Sequence, residues 1–152
     1  MMITSFKIFE NLTDDKISLI NELTEKEALK IFRKNWDEFT PQEINKGFCE
    51  IWSKYFYENI GGQIMKTFVT TDGLYSHTFI KKENKYFDAE VPYGVEDILE
   101  LPYIKRWIKK CNSTPNCNLS PTEELRTELL NSIEERTIEY INDIIDRKKK
   151  KR

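Results

Sequence analysis

Apolar residues recur at helical spacing along the first part of the chain and then switch to a strand-like pattern. Thr13 caps a short predicted helix from Asp14 to about Asn21. Thr24 and Glu27 form a capping box for a second, Glu25 to about Glu38, with Leu29, Ile31, Phe32 and Trp36 as its buried stripe. Thr40, Pro41 and Glu43 combine an N-cap, a first-turn proline and a capping-box acid. Ile44, Phe48, Ile51, Trp52, Tyr55 and Phe56 follow at helical spacing, and Asn59-Ile60-Gly61-Gly62 stops that helix. From Ile64 to Thr71 the residues are β-branched and aromatic, Asp72-Gly73 is a hairpin turn, and Leu74 to Lys82 is a second strand. Glu83-Asn84 turns into a third strand, Lys85 to Val91. Pro92-Tyr93-Gly94 reads as a loop, and Val95 to about Leu99 as a short helical stretch. Pro102 opens a helix to about Lys110. After a polar loop, Ser120, Pro121 and Glu123 start one long helix whose apolar side is Leu125, Leu129, Ile133, Ile138, Ile141 and Ile145.

This order predicts an α+β domain over residues 1–146: N-terminal helices, a central three-stranded antiparallel meander and C-terminal helices. Residues 147–152 form a basic tail. The broad apolar side of the last helix is not a strict heptad, which favours docking on the core over pairing with a second subunit. An oligomer through this helix is the alternative.

Composition narrows the function classes. The 152 residues are one domain's worth of chain, 39% hydrophobic and 33% charged, so a core can form beneath a polar surface. A net charge of −2 gives no electrostatic signature of a nucleic-acid or membrane partner. No apolar run approaches the roughly 20 residues of a membrane span. Met1 to Asp15 lacks a basic flank followed by an apolar stretch, so no secretory signal is expected. Cys49, Cys111 and Cys117 do not make the even framework of a small secreted domain, and a reducing, cytoplasmic setting is expected. Cys111 and Cys117 are poorly spaced for zinc and His77 is the single histidine, so neither a metal nor a cofactor is expected.

The candidate chemistry lies in Cys49, His77, Asp88 and Glu90. A two-residue turn at Glu83-Asn84 pairs Lys82 with Lys85, Phe79 with Asp88 and His77 with Glu90. His77, Asp88 and Glu90 then share one face of the sheet. A three-residue turn would send His77 to the other face. A thiol has a reference pKa of about 8.5, and a neighbouring imidazolium or helix N-terminus favours its thiolate. An acid orients the imidazole.

Lys46-Gly47-Phe48-Cys49, Ser76-His77-Thr78-Phe79-Ile80 and Lys85-Tyr86-Phe87-Asp88-Ala89-Glu90 together resemble the core of papain-like thiol hydrolases. The cell-wall cysteine peptidase and transglutaminase-like branches are the nearest in layout. The resemblance covers about Pro41 to Val91. It implies a hydrolase or acyltransferase acting on an amide or peptide bond of a protein or peptide substrate. Cys49 is then the nucleophile, His77 the base and acid, Asp88 the orienting acid and Glu90 its reserve. It also requires a helix that begins just before Cys49, with Gly47 as the break. The tract from Asp88 to Pro102 is similar to small phage and bacterial proteins, which adds no chemistry. The alternative is a phage-encoded, non-catalytic protein-binding module in which Cys49 and His77 only pack.

Overall fold

The structure is a computed structural model, and it describes residues 12–32, 38–68 and 76–150. The first described helix, α1, is continuous over Asp14–Phe32, where two were expected. Thr13 caps it, accepting from the Lys16 N–H at 3.2 Å. Thr24 does not start a new helix. Its buried hydroxyl donates to the Ile20 carbonyl at 2.7 Å, so it is satisfied inside the helix. Trp36 and most of the expected end of the second helix lie outside the described residues.

The helix expected from Pro41 is two. Thr40 caps α2, Pro41–Gly47, as its spacing predicts, accepting from the Glu43 N–H at 3.2 Å. Phe48 then leaves the helical path at φ −128°, ψ 18°, and α3 runs Cys49–Asn59. Gly47 weakens the helix there by about 1 kcal/mol relative to alanine. The Phe48 ring is held between Phe32 and Phe39, at centroid distances of 5.3 and 5.5 Å, which fixes the kink. Gly62 (φ +95°) ends the turn that follows α3. A Cβ on it would lie 2.7 Å from Ile80 Cγ2, so the chain can enter the sheet only through glycine.

The class is α+β, but among the described residues the sheet has five antiparallel strands rather than three. They are β1 Gln63–Phe68, β2 Ser76–Lys82, β3 Lys85–Asp88, β4 Val91–Val95 and β5 Glu134–Glu135, in the spatial order β4-β3-β2-β1-β5. The expected Asp72-Gly73 turn lies outside the described residues. Glu83 and Asn84 both take positive φ (52° and 63°), giving the two-residue turn and the expected pairs Lys82–Lys85 and Ile80–Phe87. The expected third strand breaks after Asp88. Pro92-Tyr93-Gly94, expected as a loop, lies within β4, an edge strand where proline costs no ladder bond.

A 3₁₀ turn, Ile98–Glu100, leads to α4, Pro102–Asn112. The expected long C-terminal helix is split into α5, Glu123–Ser132, and α6, Ile138–Lys150. Thr122, not Ser120, caps α5, accepting from the Leu125 N–H at 3.3 Å. Between the two helices β5 pairs with β1, and the Arg136 N–H donates to the Ile64 carbonyl at 2.9 Å. The edge of β1 thereby gains a partner, which a continuous helix would have denied it. Cys111 and Cys117, in a chain expected in a reducing setting, form a disulfide across the loop after α4.

Alternation along the strands sends side chains into two cores. Ile64, Ile80 and Phe87 pack with Ile20, Ile31, Ile51, Trp52, Phe56, Ile141 and Ile145, from α1, α3 and α6. Phe79 and Tyr86 face the other way and pack with Ile98, Leu101, Ile104, Leu125 and Leu129. The sheet is thus a middle layer, and the C-terminal helix docks on the core. No helix among the described residues is long and apolar enough to cross a membrane.

Candidate active site

His77 lies on β2, wholly buried, with its ring parallel to Tyr103 of α4 at a centroid distance of 4.4 Å. Its Nε2 is 2.9 Å from Asp88 Oδ2. The hairpin register makes this contact, because it sets Asp88 opposite Phe79, one diagonal step from His77 on the same face. β3 stops at Asp88 because the chain turns through Ala89 and Glu90. The second carboxylate oxygen accepts the N–H groups of Glu90 (2.9 Å) and Val91 (3.1 Å).

Burial raises the Asp88 carboxyl. The hydrogen bond and charge of His77, the Asn45 amide and the Glu90 N–H together outweigh it and hold the group below its ordinary value. Asp88 is therefore ionised at neutral pH. An ionised acceptor takes its hydrogen bond from Nε2–H, and in the neutral form of the ring that places the lone pair on Nδ1. Nδ1 is buried and, among the described residues, has no hydrogen-bond partner.

Glu90, expected as the reserve orienter, does not touch His77. The turn carries it out of the strand to Arg106 of α4, whose guanidinium donates to both of its oxygens at 2.6 and 2.8 Å. Asn45 of α2 donates to the same carboxylate at 2.9 Å. Burial raises the Glu90 carboxyl, but Arg106 and Asn45 hold it below its ordinary value. Asn45 also acts on Asp88, so one amide ties the two carboxylates to the helix that precedes Cys49.

Cys49 is the first residue of α3, where the aligned peptides give a partial positive charge. Extending the β2–β3 register would set Thr78 opposite Ala89, but β3 has already ended. The Thr78 N–H is left without a strand partner there, and it acts on the Cys49 thiol to lower its pKa. The thiol donates its own hydrogen to Glu50 Oε2 at 3.4 Å. Burial pushes the thiol far up and Glu50 pushes it further. The Thr78 N–H and Lys148 pull it down by less, so the thiol is neutral in this arrangement.

The structure brings His77 and Asp88 into contact and sets Cys49 at the start of α3. It leaves the thiol bonded to Glu50 rather than to His77. Asn45 and Glu50 were overlooked in the sequence although both flank Cys49. Tyr103 and Arg106 carried no signal, since only the docking of α4 places them here. No group of histidine, cysteine and acidic residues among the described residues is arranged to hold a metal. The chain matches no protein-family model, no curated protein and no solved structure.

Proposed function

We propose that this chain is a papain-like thiol hydrolase or acyltransferase acting on an amide or peptide bond through Cys49, His77 and Asp88. The observation that carries the reading is the buried contact of His77 Nε2 with Asp88 Oδ2 at 2.9 Å. A neutral ring that donates from Nε2 to Asp88 carries its lone pair on Nδ1, which is buried and has no hydrogen-bond partner among the described residues. A positioned base with its lone pair free is what a thiol nucleophile requires.

In the reaction the thiol turns from Glu50 to Nδ1 and gives up its proton. Imidazolium forms against the Asp88 carboxylate, and the thiolate is stabilised by the Thr78 N–H and the start of α3. The sulfur attacks the carbonyl carbon, and the proton on Nδ1 passes to the leaving amine. Water or an acceptor amine, deprotonated by the same nitrogen, then releases the acyl group and restores the thiol. Asp88 keeps the Nε2 proton throughout. Protein or peptide substrates and a cytoplasmic setting belong to the same reading, and in that setting the Cys111–Cys117 bond is open to reduction.

A peptide bearing an electrophilic carbonyl replacement tests this. The expected result is a covalent adduct on Cys49, seen by mass, that is lost in Cys49→Ala and strongly reduced in His77→Gln. The second reading is a non-catalytic binding module, favoured by the neutral, buried thiol. An adduct that is absent, or indifferent to His77, would establish it.

A further inference from the structure

The last turn of α6 crosses the point where α3 begins. Lys148 Nζ is 3.6 Å from Glu50 Oε2, the oxygen that accepts the Cys49 thiol, and 3.5 Å from the Gly47 carbonyl. One ammonium thus spans the Phe48 kink, holding the residue before it and the residue after Cys49. The neighbouring Lys149 is fastened 2.5 Å from Glu27 of α1. Ile141 and Ile145, buried on the same helix, dock the rest of α6 independently of these lysines.

We infer that the C-terminal turn of α6 is an autoinhibitory latch, in which Lys148 holds Glu50 on the Cys49 thiol. The inference rests on the proposed role of Cys49 and adds its regulation. While Glu50 accepts the S–H, the sulfur is turned from Nδ1 of His77 and shielded by α6. When the turn lifts, Glu50 loses its counter-charge and can swing to solvent. A step between staggered side-chain wells then re-aims the thiol, and its proton moves to Nδ1 with no other group gained or lost. The latch is partly exposed and electrostatic, so its closed and open forms lie close in free energy.

The test compares the whole chain with Lys148→Glu and with a chain ending at Arg147, which keeps Ile141 and Ile145. The readout is iodoacetamide labelling of Cys49 at pH 7, located by peptide mass, with a thermal melt to show that each variant folds. Labelling should quicken about ten-fold in both variants, because a freed Glu50 takes away both the acceptor and the negative charge that hold the thiol up, which outweighs losing the Lys148 charge. Rates within about two-fold of the whole chain in either folded variant would overturn the latch. Adding His77→Gln to the shortened chain separates the two claims. If labelling stays fast without His77, the latch stands and the hydrolase reading falls. If the latch variants do not open while the peptide adduct still forms on the whole chain, the latch falls alone.

Discussion

Asp88→Asn should remove most of the thiol chemistry while leaving the fold standing. An amide has one oxygen where the carboxylate has two. The N–H groups of Glu90 and Val91 both point at Oδ1 and demand an acceptor there. The amide oxygen takes that place, and its NH₂ group is turned toward His77 Nε2. Nε2 must then accept, so the ring proton moves to Nδ1 and the base is gone. In the serine-protease triad the same change costs about 10⁴ in rate, and a loss of roughly 10³–10⁴ is expected here. Stability should change by no more than about 1–2 kcal/mol, because losing the charge also removes its burial cost. A pH series confirms the cause. The Asp88 carboxyl lies below its ordinary value in the fold. Its stabilisation is therefore present above the unfolded value of about 3.9 and lost as pH falls through the lower folded one. Unfolding midpoints measured from pH 2 to 5 should show this acid limb in the wild type and a weaker one in Asp88→Asn. Glu90→Gln, one bond away on the Arg106 side, should change the rate far less.

His77→Ala should be among the most destabilising single changes in the protein. A histidine lining an open cleft would tolerate removal, but His77 is fully buried between Asp88 and Tyr103. Removing it strands an ionised carboxylate and opens a hole against an aromatic ring. Breaking a buried pair in this way costs on the order of 3 kcal/mol or more, or roughly 10 °C in melting temperature. The deficit should shrink on acidification. Without His77 the burial of Asp88 is less opposed, so its carboxyl takes up a proton more readily and protonation relieves the variant. A thermal melt at pH 7 and at pH 4 checks both parts. Loss of function in His77→Ala is therefore ambiguous, and His77→Gln is the cleaner probe of the base.

The contact between His77 and Asp88 was legible because the register of a two-residue turn follows from Glu83-Asn84 alone. Once that turn is set, side-chain alternation fixes which residues share a face. The start of α3 at Cys49 was legible only as a permission given by Gly47. What enforces it is the clasp of Phe48 by Phe32 and Phe39, a long-range contact no local pattern reports. Glu90 was misplaced for a related reason. The strand was carried to Val91 on its apolar pattern, whereas Asp88 bonds the two following N–H groups and folds the chain into a turn. The break near Ile133 was hidden because its residues keep helical spacing. The need of β1 for an edge partner outweighs that spacing. Thr24 shows the reverse error, a capping signature spent inside a helix.

Whether Nδ1 of His77 is the base for Cys49 is read from the pH profile of Cys49 alkylation. Burial makes the reaction slow at every pH, so the shape decides and not the rate. An unassisted thiol loses about ten-fold in rate for each pH unit below its pKa. A thiol that hands its proton to His77 keeps a thiolate population well below neutrality. With His77 as the base, the rate should change by less than about three-fold between pH 8 and pH 6, turning into the steep unassisted slope in His77→Gln. A wild-type rate that falls about a hundred-fold over the same interval, parallel to His77→Gln, would contradict it.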